Sequence, residues 1–272
     1  MSDEVTDWAI DIHDLTFAYG AGKRQGPWVL QGLDARVTKG QVFAILGPNG
    51  RGKTTLLHLL LRTLQPTSGT IQVHGRIGFV PQLFQVSFPY TVLDMVLMGR
   101  ARHVGLFSLP SKQDEAAAWA ALERMGIADL AARPFDQLSG GQRQLVIFAR
   151  ALATEAEILV LDEPTSALDL KNQGTILEWM ARLSQDTGLT VICTSHHPHH
   201  ALAVADEVLL LFGPGETIQG PASQVLSEPH LERLYGAALR KVAFDYGGRT
   251  VQTLVPVYAG VPERQPRHEI IG

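Results

Sequence analysis

The chain has a single cysteine, Cys193, among 272 residues, so no internal disulfide framework can form and a reducing compartment suits it. Cys193 lies inside the apolar run Val191-Ile192-Cys193, which predicts a buried small hydrophobe rather than a reactive thiol. No apolar run reaches about 18 residues, so the sequence predicts no membrane-spanning helix and a chain that does not enter the membrane by itself. Met1 to Asp7 is acidic and polar, without the basic start and apolar core of a secretory signal. An excess of positive charge is missing too: 23 Lys and Arg against 27 Asp and Glu leave a net charge of −4. The basic residues are scattered, which leaves no footprint for nucleic acid. Internal repeats and low-complexity segments are absent. The length allows one large α/β domain or two small ones.

What is present centres on Gly47-Pro48-Asn49-Gly50-Arg51-Gly52-Lys53-Thr54, which fits G-x-x-x-x-G-K-[ST]. The apolar run Val42 to Leu46 precedes it and Thr55 to Leu61 follows, so the order is strand, glycine-rich turn, helix. The turn lets successive backbone N–H groups point at one anion, and the helix N-terminus adds partial positive charge. Lys53 is expected to reach the β- and γ-phosphates of a nucleotide, and the Thr54 hydroxyl to hold Mg²⁺. Thr55 joins the nucleotide-contacting set.

Around this loop the chain alternates between strand and helix patterns. Residues 9–18 and Val29 to Val37 read as a small antiparallel sheet, with a polar loop from Tyr19 to Pro27 between them. A helix through Leu64 is expected after the phosphate loop, then short strands Ile71 to Val73 and Ile77 to Val80 ending at Pro81-Gln82. Residues of about 83–153 form a helical insertion: Val92 to Met98 capped by Thr91, a loop from Gly105 to Pro110, Asp114 to Met125, and a helix that begins after the 138–142 run and ends at about Ala153. Strand Ile158 to Leu161, helix Leu170 to Leu183, strand Leu189 to Thr194, helix Pro198 to Val204 and strand Glu207 to Phe212 complete the pattern. Apolar, β-branched strands between helices predict a mostly parallel sheet covered on both faces. The tail from Gly236 holds strand-like residues Val251 to Val257 and a polar end, Pro262 to Gly272, with no assigned role.

Asp162-Glu163 ends the apolar strand Ile158 to Leu161. In a parallel sheet, ligands sit beyond the strand C-termini, so both carboxylates should lie beside the phosphate loop. Asp162 is placed to bind Mg²⁺, and Glu163 to polarise an attacking water. A surface acidic pair capping the next helix is the competing reading, weakened by Pro164 at that turn. Leu138-Ser139-Gly140-Gly141-Gln142 could be a glycine turn with a serine N-cap or a second anion-binding nest.

Taken together, the phosphate loop, Gln82, the 138–142 run, the Asp-Glu strand end, Ser166-Ala167-Leu168-Asp169 and His196 resemble the nucleotide-binding subunit of ATP-binding cassette transporters. The resemblance covers about residues 8–235 and implies a P-loop, RecA-like core with a small antiparallel subdomain and a helical subdomain inserted into it. Residues 1–235 would form the ATPase domain and 236–272 a C-terminal extension. It further implies a head-to-tail homodimer holding two ATP molecules, each between one copy's phosphate loop and Ser139, Gly140, Gly141 and Gln142 of the other. Tyr19 would stack on adenine, although a core aromatic at a strand end fits the residues nearly as well. Gln82 would contact Mg²⁺ or the attacking water and report nucleotide state to a membrane partner. Asp169 would line the dimer seam, and could also serve as a helix N-terminal charge. His196 would reach the γ-phosphate.

The four imidazoles of His196, His197, His199 and His200 invite a metal reading, since His196 and His200 are four apart. That reading is disfavoured, because the resemblance accounts for His196 and a helix opened by Pro198 should turn the others to different sides. His197 stands where the family commonly has Asp, and Arg51 where a small residue is common. Arg51 can point away while its backbone N–H binds.

Without a span of its own, such a subunit needs a separate integral-membrane permease, and would sit peripherally on the cytoplasmic face of the inner membrane. Ser87 to Arg100 looks like the segment that receives a permease helix in importers of iron–siderophore, haem, cobalamin and molybdate type, which also use a substrate-binding protein. Some of its Met and aromatic residues would instead be core. An exporter or lipid-transport ATPase is the nearer alternative. A soluble cassette protein of DNA repair or translation is disfavoured by the absence of a long coiled-coil insertion or second cassette. A non-hydrolysing module is disfavoured by intact Lys53, Asp162, Glu163 and His196.

Overall fold

A computed structural model describes residues 7–20, 26–82, 84, 86, 88–104 and 108–258. The expected loop at Gly105 to Pro110, the polar loop after Tyr19 and the 262–272 tail fall wholly or partly outside the described residues. Among the described residues there are three sheets. The first pairs β1 (Trp8–Ala18) antiparallel with both β2 (Trp28–Thr38) and β4 (Ser68–Val73). The central six-stranded sheet has the order β5-β6-β7-β3-β8-β9, with β3 (Val42–Leu46), β5 (Ile77–Val80), β6 (Ile158–Leu161), β7 (Thr190–Ser195), β8 (Glu207–Gly213) and β9 (Glu216–Pro221). All its neighbours run parallel except β8 and β9. The third sheet is a hairpin of β10 (Leu239–Tyr246) and β11 (Arg249–Pro256).

Alternation along the buried central strands sends successive side chains to opposite faces. Ala44, Leu46, Leu161, Val191, Cys193 and Leu210 join one core, which extends into the helical insertion and to Leu239 and Leu254. Phe43, Ile45, Val160, Ile192 and Leu209 join a second core against the antiparallel sheet and α1 (Lys53–Leu60). Cys193 is buried, which pushes its thiol up to about 12. Among the described residues no helix is long and apolar enough to cross a membrane.

The helical insertion carries α2 (Val92–Leu97), α3 (Lys112–Arg124) and α4 (Gly140–Leu152). Each opens on a capping box, from Thr91 with Asp94, Ser111 with Asp114, and Ser139 with Gln142. α5 (Leu170–Thr187) is N-capped by Asp169 and stops at Gly188, whose φ is 66°. α6 (Pro198–Val204), α7 (Ala222–Val225) and α8 (Glu228–Tyr235) follow.

Several boundaries differ from expectation for identifiable reasons. α1 stops at Leu60 rather than Leu64, because Arg62 turns left-handed (φ 57°) and the Thr63 and Leu64 N–H groups fold back to the His58 carbonyl. α3 starts earlier than Asp114, since that residue is the third position of a cap begun by Ser111. α4 starts inside the 138–142 run, at Gly140, and α5 runs on past Leu183 to the glycine that ends it. The strands on either side of Gly75 belong to different sheets, β4 to the antiparallel one and β5 to the central one. Not anticipated at all were β9, α7, α8 and β10. The last two strands meet at Gly247-Gly248, both with positive φ (58° and 76°), as a two-residue hairpin turn requires.

Within the insertion, Gly99 passes so close to α4 that a Cβ there would lie 2.2 Å from the Arg150 carbonyl oxygen. Gly99→Ala should therefore cost about 1–3 kcal/mol through overpacking. Gly174→Ala in α5, where a Cβ meets nothing within 4 Å, should gain about 0.5–1 kcal/mol from helix propensity. Thermal unfolding of both variants checks the pair; a Gly99→Ala chain melting at the wild-type temperature would contradict the close helix approach.

Candidate active site

Four neighbouring strands of the central sheet deliver their C-terminal ends to one cleft: β3 leads to the phosphate loop, β5 to Gln82, β6 to Asp162-Glu163 and β7 to His196. The cleft has a volume of about 440 Å³ and is lined by Asn49, Gly50 and Gly52 to Thr55 together with Tyr19, Val29, Gln82 and Glu163. Gly52 forms the N-cap of α1 with φ 90°, and a Cβ there would meet Val29 Cγ1 at 3.0 Å, so the turn and the packing both require glycine. Gly47 is pinned likewise, 2.9 Å from the Leu211 carbonyl oxygen at the position of a Cβ. No side chain caps the N-terminus of α1 and its first turn holds no acidic residue, so its N–H donors suit an anion in the cleft.

Lys53 is buried, and its Nζ donates to the carbonyls of Gly47 (2.8 Å) and Pro48 (3.2 Å) and lies 3.6 Å from Glu163 Oε1. Burial lowers its pKa, opposed by the nearby Glu163 and Asp162 carboxylates. Thr54 Oγ1 stands 3.4 Å from Asp162 Oδ2 and 3.5 Å from Oδ1. A hydroxyl facing a carboxylate beside a polyphosphate cradle is an oxygen set that fits Mg²⁺, which keeps its remaining positions for water and phosphate.

Glu163 is the meeting point of the site. Its Oε2 lies 3.1 Å from His196 Nδ1 and accepts from Gln82 Nε2 at 3.3 Å, while Gln82 also donates to Ser166 Oγ. Its backbone is left-handed (φ 45°), a conformation that costs a non-glycine residue about 1–3 kcal/mol and persists only where neighbours impose it. Ser166 imposes part of it, donating through both N–H and hydroxyl to the Glu163 carbonyl. The fully buried Thr194 hydroxyl accepts the Glu163 N–H at 2.9 Å and donates to Asp162 Oδ1 at 2.6 Å. Thr194 and the cleft-wall residue Val29 escaped the sequence reading. The only available signal for Thr194 was a hydroxyl near the end of an otherwise apolar strand.

Tyr19 is 51% exposed, which removes the core-aromatic alternative; its ring packs edge-on to Phe17 and its hydroxyl meets Thr55 Oγ1 at 3.0 Å. Arg51 does not line the cleft, and its guanidinium lies beside Gly213. Ser139, Gly140, Gly141 and Gln142 do not line it either. They open α4 with Ser139 and Gln142 bonded to each other, and Gly141 sits against Asn172, where a Cβ would come within 2.2 Å of Oδ1. The Asp169 side chain accepts the Asn172 N–H at 2.8 Å, as an N-cap.

The histidines do not fan out as expected. Pro198 does begin α6, yet the rings pack together, with centroids 4.0 Å apart for His196–His197, 4.9 Å for His197–His200 and 4.3 Å for His199–His200. The short helix folds them over Thr165, whose Oγ1 is 3.1 Å from His200 Nδ1. Among the described residues no three His, Cys, Asp or Glu side chains are arranged to hold a metal ion. Burial lowers the pKa values of His197, His199 and His200, the last from 6.5 to about 4. The unfolded chain then takes up the His200 proton first, so stability should fall as pH drops from 6.5 towards 4. Urea unfolding at several pH values should show this slope and a shallower one for His200→Asn; equal slopes would contradict a neutral, buried His200.

Of the Ser87 to Arg100 segment, Ser87 lies outside the described residues and the rest divides between core and surface. Val92, Met95 and Val96 are core, Phe88 is exposed, and Tyr90, Leu97 and Met98 line a groove of about 470 Å³ with Val104 and Pro110.

Residues 30–166 match the family model described as ABC transporter. The molybdate import ATP-binding protein MolC of Haemophilus influenzae is 41% identical over 254 residues, 92% of this chain and 97% of that one. A solved chain from an inward-facing transporter described as metal-chelate type is 39% identical with a TM-score of 0.87, covering 94% of this chain and 99% of that chain. A dimeric ATP-binding cassette in a post-hydrolysis state, bound to ADP and Pi, is 25% identical with a TM-score of 0.65 over 77% of this chain and 98% of its own. With its phosphate loop and carboxylate pair at the C-terminal ends of β3 and β6 in one parallel sheet, this chain belongs to the ABC transporter family as one of its ATP-binding subunits.

Proposed function

We propose that this chain is the ATP-hydrolysing subunit of an importer for a molybdate-type oxyanion or a metal chelate. The observation that carries the chemistry is that Lys53, Thr54, Gln82 and Glu163 line one cleft at the end of a parallel sheet, with Asp162 against Thr54 and His196 against Glu163. Lys53 and the N–H groups of the loop hold the β- and γ-phosphates of ATP. Glu163 accepts the proton of the attacking water, while His196 and Gln82 fix its Oε2 and Lys53 faces its Oε1. Thr54 and Asp162 would hold Mg²⁺, whose positive charge would offset that of the phosphates. Tyr19 offers adenine an exposed ring at the rim.

The reading assigns the remaining donors to a second copy. Ser139 to Gln142 lie outside the cleft at the open end of α4, so the second anion nest serves the partner's γ-phosphate in a head-to-tail homodimer, with Asp169 at the seam. ATP binding then closes a two-state dimer and hydrolysis opens it. The dimeric ADP-bound relative supports this arrangement. Residues 1–235 form the motor and 236–272 an extension. The groove at Tyr90, Leu97 and Met98 receives a permease helix, which keeps the subunit peripheral at the cytoplasmic face of the inner membrane. The cargo class rests on the molybdate and metal-chelate relatives, and a substrate-binding protein acts only through the permease.

Glu163→Gln should lower the ATPase rate by about 10²–10⁴-fold while ATP-bound dimers accumulate on size exclusion. Normal turnover in this variant would sink the assignment of the base. Met98→Glu should abolish co-purification with the cognate permease, because a carboxylate would enter an apolar contact; retained co-purification would move the docking site elsewhere.

A further inference from the structure

Thr194 ties together the two carboxylate residues of the site through one hydroxyl. It is the penultimate residue of β7 and is fully buried, between β6 on one side and β3 on the other. Its register partner on β3 is Ile45, and the last β6–β7 pair is Leu161 with Cys193. Where the main-chain ladder stops, the Thr194 side chain takes over: it accepts the Glu163 N–H at 2.9 Å and donates to Asp162 Oδ1 at 2.6 Å. A hydroxyl has one proton to give. The Asp162 carboxylate can only accept, so that proton is committed to it and a lone pair is left for Glu163.

Two consequences follow. The bond to Asp162 holds Oδ1 and so fixes the orientation of the carboxylate, whose oxygens lie 3.4 Å (Oδ2) and 3.5 Å (Oδ1) from Thr54 Oγ1. The bond from Glu163 helps impose the left-handed backbone (φ 45°) that aims its side chain at Lys53, Gln82 and His196. We infer that Thr194 is a positioning residue for hydrolysis, whose hydroxyl sets the orientation of Asp162 and the direction of Glu163 together. The inference rests on the reading of Asp162 as metal ligand and Glu163 as base. Neighbouring Ser195 does not duplicate the role, since its Oγ accepts the His197 N–H instead.

The test compares Thr194→Val, which keeps the shape but loses both bonds, with Thr194→Ser, which keeps the hydroxyl. Thr194→Val should lower kcat about 10–100-fold, the usual effect of removing a group that orients a ligand, with KM for ATP within about threefold. It should also raise the Mg²⁺ concentration needed for a non-hydrolysable ATP analogue to protect the chain against heat, a readout independent of turnover. Thr194→Ser should restore both properties to within a few-fold of wild type. Unchanged kcat and Mg²⁺ dependence in a folded Thr194→Val chain would overturn the inference, and so would a Thr194→Ser chain as impaired as Thr194→Val. If Thr194→Val does not fold, the Thr194→Ser and Thr194→Cys pair decides: a weak thiol donor should give the Thr194→Val phenotype, and wild-type behaviour of Thr194→Cys would refute the hydroxyl's role. Glu163→Gln measured in parallel separates the two readings. Loss of turnover there with none in Thr194→Val defeats Thr194 alone, whereas normal turnover in Glu163→Gln defeats the base.

Discussion

Lys53 places a positive charge in a buried position, and the rest of the site is arranged around that charge. Its ammonium sits against two carbonyls of its own loop and 3.6 Å from Glu163. Taking an ammonium out of water is expensive unless it is hydrogen-bonded and paired. Gly47 and Gly52 make the pairing possible, because any side chain at either position would strike Leu211 or Val29 and open the loop. The loop in turn depends on β3 lying between β7 and β8 with every residue buried. A parallel arrangement brings the ends of β5, β6 and β7 to the same side, which is how residues as distant in sequence as Gln82 and His196 come to share one carboxylate.

The same arrangement explains why strain collects at Glu163. A strand that ends with two consecutive carboxylates must send them different ways, one towards Thr54 and the other towards Lys53, Gln82 and His196. The left-handed turn at Glu163 achieves this, held by Ser166 from one side and Thr194 from the other. A second set of donors, at the start of α4, does not line the cleft, and this is the physical basis for proposing that the complete site is shared between two copies.

Much of this was legible in the sequence because it is carried by local chemistry. The Gly47 to Thr54 spacing, the Asp-Glu pair after Ile158 to Leu161 and the Thr91 cap each depend on residues close together in the chain. Contacts made by distant residues were not legible. Thr194 reads as one more strand residue until β6 is laid beside it, and Val29 as part of a strand until α1 packs against it. The histidines after β7 were expected to diverge by helical spacing, but α6 spans only Pro198–Val204 and the rings gather at tilted angles. The C-terminal hairpin was half seen, through its valines. Its turn signal, Gly247-Gly248, was present and went unused, and polar partners such as Lys241 and Asp245 masked β10.

The claim on which the account turns is that the cleft is half of a site. Asn49→Cys together with Ser139→Cys tests it directly, because the native Cys193 thiol is buried and held near 12, where it does not compete. Oxidation in the presence of ATP and Mg²⁺ should produce a covalent dimer on a non-reducing gel, with neither single variant doing so. A chain that binds ATP yet stays monomeric under the same oxidation would contradict the shared site.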